Sequence, residues 1–155
     1  MRYMIIVKAS KDSEAGVMPA ESLFAAMASY HEELAKAGVL LDASGLQPSA
    51  KGWRIAYAGQ ERSVREGPFA ESGDLVAGYT LIRVQSRAEA MAWSLRFPNP
   101  AVDGQAGEIE VRPLYELEDF APSAAIERFR ELEAARAADG DAGRTGGAPA
   151  PGEAP

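Results

Sequence analysis

The first strand-like stretch, Arg2-Tyr3-Met4-Ile5-Ile6-Val7-Lys8, carries apolar side chains on both of its sides, Tyr3, Ile5 and Val7 against Met4 and Ile6. A strand with one polar face needs cover from one side only, whereas a strand apolar on both faces belongs in the middle of a sheet that is packed above and below. The chain must therefore supply a layer for each face of its sheet, or borrow one.

Two helices supply the first layer. Pro19-Ala20-Glu21 places proline and an acid where a first helical turn tolerates them. Leu23, Met27, Tyr30 and Leu34 then fall on one stripe at helical period, and Gly38 supplies the stop. Ser86-Arg87-Ala88-Glu89 matches a capping box and opens a second helix. Ala88, Met91 and Leu95 share one of its faces. Ala90, Trp93 and Phe97 lie nearly opposite, so that aromatic pair needs cover from the C-terminal helix or a second subunit.

The remaining pattern is mostly extended. Lys11 to Gly16 reads as a loop. Val39 to Leu46 and Trp53 to Ala58 read as strands joined by Gln47 to Gly52, hence as an antiparallel pair. Gly59-Gln60 resembles a tight reversal into a short extended piece from Glu61 to Arg65. Ala77 to Gln85 is β-rich, and Glu108 to Leu117 alternates apolar and polar, with Pro113 loosening the pairing where it lacks an N–H. Ile126, Phe129 and Leu132 mark a last helix that ends in the run Ala134 to Ala138. From Asp139 onward no large apolar residue is present to offset the entropy of ordering, so a disordered tail is expected. The expected organisation is one domain over 1–120, a helical extension over 121–138 and a tail over 139–155.

A β-α-β-β-α-β order with both helices on one face is a ferredoxin-like α+β sandwich. Its other sheet face is bare. The second apolar set of the first strand, with Trp53 and Tyr57, implies that this face is buried, and two such sheets face to face make a homodimer.

Composition narrows the partners. A net charge of −7 disfavours a phosphate backbone, and no apolar run approaches the roughly 20 residues of a membrane-spanning helix. The N-terminus is too short and too alternating for a signal peptide, so a cytoplasmic protein is expected. With no cysteine and a single histidine, no thiolate or all-histidine metal site forms within one subunit. No dinucleotide fingerprint, phosphate loop or nucleophile motif is present, so no cofactor is expected. A small-molecule ligand and a second copy of the chain are the partners that remain.

The candidate site centres on Arg65-Glu66-Gly67-Pro68-Phe69-Ala70-Glu71, where Pro68 keeps Gly67 out of the helical region and forces a turn between two acids. Glu66 and Glu71 either hold a water, a cation or a cationic ligand, or cap local amides and face solvent. Phe69 is a loop anchor or a stacking platform. His31, the only side chain that ordinarily titrates near neutrality, suits a pocket wall and equally a half-buried histidine with a satisfied ring nitrogen. Tyr79 and Arg112 sit on strands and point to one cavity, Arg112 as an anion clamp or as a partner of Glu110 or Glu108.

Tyr30-His31-Glu32-Glu33-Leu34, Ala37-Gly38-Val39-Leu40-Leu41, Gly45-Leu46-Gln47-Pro48, Glu66-Gly67-Pro68-Phe69-Ala70-Glu71, Ala77-Gly78-Tyr79 and Gly107 to Pro113 together resemble the YCII-related family, in its Asp-Gly-Pro-Phe branch, over about Met1 to Phe120. The resemblance implies a dimeric ferredoxin-like α/β barrel with a pocket near the motif. Two departures stand out: the family's aspartate is Glu66 here, and its usual histidine before proline is Gln47, which cannot serve as a base near neutral pH. The expected function is a small-molecule pocket, either with cofactor-free acid–base chemistry by His31 and Glu66 or as a non-catalytic ligand-sensing or protein-interaction module.

Overall fold

The computed structural model describes residues 1–70 and 74–142, the last four as backbone only. Met1–Leu114 form one compact unit and the chain from Tyr115 a second. The protein is α+β with antiparallel sheets.

The first unit runs β1 (Arg2–Lys8), α1 (Lys11–Glu14), α2 (Glu21–Lys36), β2 (Leu40–Gly45), β3 (Trp53–Ala58), β4 (Glu61–Glu66), β5 (Val76–Arg83), α3 (Arg87–Ser94) and β6 (Ile109–Pro113). A four-stranded sheet has the order β2-β5-β1-β6, while β3 and β4 form a separate ribbon. The two-faced strand β1 is central, as its pattern requires, with β5 and β6 antiparallel on either side.

The register sorts the faces. Tyr3, Ile5 and Val7 stand opposite Ile82, Thr80 and Gly78 on one side and Pro113, Val111 and Ile109 on the other. Tyr3, Ile5 and Ile82 join Tyr30 and Leu34 of α2 and Ala90 of α3 in the core, so both helices lie on this face. Ile5, Leu34 and Ile82 are fully enclosed. On the opposite face Met4, Ile6, Tyr79 and Leu81 are half-buried and Asp42, Ser44, Arg83 and Arg112 are exposed.

Several sequence expectations need correction. β2 pairs with β5 and not with β3, whose partner is β4. Trp53 and Tyr57 therefore belong to the ribbon and not to the bare sheet face. The segment after β1 is a short helix and not a loop, because Ser10 and Ser13 exchange capping-box hydrogen bonds of 3.1 and 2.8 Å. The core-facing side of α3 is the one with Ala90, Trp93 and Phe97; Tyr30 meets both aromatic rings edge-on, at 6.5 and 5.2 Å, and Met91 and Leu95 are the exposed pair. β6 spans only Ile109–Pro113, and Pro113 does not interrupt its bonding to β1, since the next N–H, that of Leu114, donates to the Arg2 carbonyl at 2.9 Å.

In the second unit α4 spans Ala124–Ala142, past the expected end at Ala138, as its alanine-rich sequence favours. Residues 139–142 are thus helical and not part of a disordered tail; the rest of that tail, 143–155, lies outside the described residues.

Candidate functional site

The Glu66-Gly67-Pro68-Phe69 turn closes the base of the ribbon. The Gly67 N–H donates to the Gly52 carbonyl at 2.9 Å, and the Gly67–Pro68 peptide is cis. A Cβ on Gly67 would land on the Ser49 carbonyl, so only glycine fits there. The Phe69 N–H donates to Ser49 Oγ at 3.1 Å. Ser49 is itself held by Glu14 of α1: its N–H reaches both carboxylate oxygens at 3.2 Å, and its hydroxyl donates to Oε2. The signature turn is thus tied through Ser49 to a carboxylate far away in sequence, by charge-assisted bonds.

Phe69 is half-buried, with the Arg54 guanidinium 4.1 Å and that of Arg65 5.4 Å from its ring centre. These arginines face each other across the ribbon, and the electron-rich face of the ring eases an otherwise repulsive pair. Glu66, opposite Trp53, is exposed. Glu71 lies outside the described residues.

His31 sits on the helix side of the main sheet. Its Nε2 is 2.9 Å from Oγ1 of Thr80, a residue only 1% exposed, and its ring meets Tyr30 edge-on at 5.6 Å. Among the described residues, no hydrogen bond or ion pair joins His31 to Glu66.

Tyr79, one residue before Thr80, points to the opposite side of the sheet. Its hydroxyl donates to Asp42 Oδ2 at 2.7 Å. That hydrogen bond, with partial burial and the Asp42 charge behind it, raises the phenol pKa above its ordinary value, against a small opposing effect of Ser44. Asp42 and Ser44 stand opposite Leu81 and Tyr79 on β2, and Ile6 and Met4 are the cross-strand neighbours on β1. The group is a phenol, a carboxylate and a hydroxyl on the exposed β2–β5 pair, beside the half-buried Ile6 and Met4. Arg112 is on the same face, opposite Met4, with Glu110 3.7 Å from its Nε; Glu110 also takes Lys8 at 3.7 Å.

The structure therefore brings Tyr79 and Arg112 to one face, puts His31 on the other, and leaves Glu66 and Phe69 at the ribbon base. Two clefts lie elsewhere in the first unit. One of about 330 Å³ is lined by Val7, Lys8, Ser13, Pro100 and Glu108, and one of about 390 Å³ by Ala20, Leu23, Asn99 and Asp103. Among the described residues no group of three or more His, Cys, Asp or Glu side chains could hold a metal ion, and no helix is long and apolar enough to cross a membrane.

Sequence inspection missed Glu14, Asp42, Ser49 and Thr80. Asp42 carried a signal, as a lone carboxylate inside the apolar run Leu40-Leu41-Asp42-Ala43. Glu14 and Ser49 carried none, since their meeting depends on how two connections fold against each other.

Among curated proteins none matches the chain. The YCII-related domain matches residues 1–118, the whole first unit with its two-faced central strand and its Glu66-Gly67-Pro68-Phe69 turn. By that match the chain belongs to the YCII-related domain family.

Proposed function

We propose that the chain works in the cytoplasm as a homodimer of ferredoxin-like subunits, set sheet to sheet in an α/β barrel, and that a small polar or aromatic metabolite binds between the sheets. The strand order β2-β5-β1-β6, with helices on one face, supports the ferredoxin-like description. The half-buried Met4, Ile6 and Leu81 on the other face support sheet-to-sheet pairing.

The observation that carries the ligand site is the Tyr79–Asp42 hydrogen bond at 2.7 Å, beside Ser44 and next to the half-buried Met4, Ile6 and Leu81. Small-molecule sites pair an apolar lining with a few polar groups of this kind. Asp42 accepts a ligand hydroxyl or amine, and Tyr79 stays a neutral donor. In this reading Arg112 marks the polar edge of the chamber, and the turn with Phe69 its rim. No cofactor is required. A thermal-shift screen of hydroxylated and amino metabolites tests the site: hits are expected whose shift is lost in Tyr79→Phe and Asp42→Asn. Hits indifferent to both changes would overturn it.

An acid–base enzyme on the helix side of the sheet, with His31 as base and Thr80 orienting it, is the second reading. The Thr80 contact that fixes the imidazole favours it. His31→Ala should then abolish turnover of a substrate whose binding is indifferent to Tyr79 and Asp42, while a pure binder shows no turnover to lose. An interaction module would instead use the exposed Phe129 and Leu132 of α4, and deleting 122–138 would impair it.

A further inference from the structure

A two-stranded ribbon alone is marginally stable in water. The β3–β4 ribbon pairs with no other strand, and every residue of its two strands except Arg54 is exposed. Its faces differ sharply. Arg54, Ala56, Ala58, Glu61, Ser63 and Arg65 share one side, with Phe69 against the two arginines. The other side carries Trp53, Ile55, Tyr57 and Val64, exposed by 64, 43, 67 and 62%, bounded by Arg62 opposite Tyr57 and Glu66 opposite Trp53. Such a surface in water marks a contact site.

We infer that this apolar ribbon face is an arm that docks beside the paired sheets on the β2–β5 end of a second copy's Met4–Ile6–Leu81 face, so that Trp53 and Tyr57 of the arm close the chamber around the other copy's Tyr79–Asp42 pair. The inference deepens the homodimer proposed above and rests on it.

Two features select that occupant. Charge is the first. The sheet face offers Asp42 to Arg62, and Arg83 and Arg112 to Glu66, at the margins of an apolar centre of Met4, Ile6 and Leu81. Area is the second. An aromatic side chain buries about 150–250 Å² when fully covered, so Trp53 and Tyr57, exposed by 64 and 67%, offer roughly 200–330 Å² between them. A stable interface takes about 800 Å² from each partner. Ribbon against ribbon falls short of that, whereas ribbon plus sheet face, repeated by two-fold symmetry, comes within reach.

The natural chain has no cysteine, which makes cross-linking clean. Tyr57→Cys and Ser44→Cys variants, both at exposed positions, are mixed, oxidised mildly and separated by mass, with wild-type protein sedimented in parallel. The disulfide joining a Tyr57→Cys copy to a Ser44→Cys copy is expected as the dominant product. Ile55→Asp should weaken the dimer roughly tenfold or more, as loss of a buried apolar anchor does. In a Trp93→Phe variant, Trp53 emission should shift to longer wavelength as the dimer is diluted. A wild-type dimer that yields only Tyr57-to-Tyr57 links, or no mixed link, overturns the arm while leaving the sheet-to-sheet dimer standing. So does a dimer unchanged by Ile55→Asp. A wild type that sediments as a single chain at every concentration removes both.

Discussion

Nε2 of His31 lies 2.9 Å from Oγ1 of Thr80, and this contact assigns the protein's single imidazole to the helix side of its main sheet. Strand geometry turns the next side chain, Tyr79, the opposite way. The sheet thus separates a histidine on one side from a phenol–carboxylate pair on the other, and chemistry proposed for either must be tested on its own face. Thr80→Val removes the contact while keeping the shape. It is expected to cost about 1 kcal/mol and to move the unique imidazole resonances in a ¹H–¹⁵N spectrum. Unmoved resonances would mean that the hydroxyl does not hold the ring.

Gly67 is required by space. Gly67→Ala drives a methyl group into the Ser49 carbonyl, with an expected loss of about 1–3 kcal/mol in chemical denaturation. Gly59→Ala, at the tip of the same ribbon, has no neighbour to strike and only its positive φ of 61° to accommodate. It should cost less.

Glu14 tests the tether from α1 to the signature turn. Its carboxylate accepts the Ser49 N–H and hydroxyl, and Ser49 in turn accepts the Phe69 N–H. Glu14→Gln keeps the size and removes the charge, so a loss of roughly 1–2 kcal/mol is expected. Faster amide exchange at Phe69 should accompany it. Loss of stability without faster exchange at Phe69 would place the effect in α1 alone.

Alkaline pH reads out Tyr30. Burial pushes its phenol up to about 12, against a smaller opposing pull from Arg96, while its hydroxyl donates to the Trp93 carbonyl at 3.1 Å. An unfolded tyrosine loses its proton near pH 10, so between about pH 10 and 12 the unfolded state binds fewer protons and stability falls as pH rises. The loss amounts to roughly 3 kcal/mol, complete once pH passes the folded value. In Tyr30→Phe this fall should be smaller in urea denaturation across that window, Tyr79, also raised, being left to contribute.

The second unit should be dispensable for the first. Among the described residues the buried core side chains belong to Met1–Leu114, so a chain ending at Phe120 is expected to keep its melting temperature within a few degrees. A collapse on truncation would show that α4 is part of the folding unit.

Much of the fold was legible because local rules sufficed. The stripe Leu23-Met27-Tyr30-Leu34 declared α2, the Ser86–Glu89 pattern its α3 counterpart, and Gly59-Gln60 the ribbon tip. What failed was decided at a distance. Val39 to Leu46 looks able to pair with the next strand, yet the apolar Leu40 and Ala43 find Ile82 and Thr80 on β5, which arrives much later in the chain. Local periodicity could not choose between the two faces of α3, because the deciding neighbour, Tyr30, lies on another helix. The candidate site dispersed for the same reason. Tyr79 and Arg112 share a face through the register of β5 and β6 on β1, whereas the alternation within β5 places His31's partner on the other side.

Sedimentation equilibrium of the intact chain over a wide concentration range bears most directly on the bare sheet face. A mass of twice the 16.5 kDa chain, falling to a single chain when Leu81 is replaced by Asp, is the expected result. A mass of 16.5 kDa at every concentration would mean that Met4, Ile6 and Leu81 face no second copy, and would contradict the shared chamber.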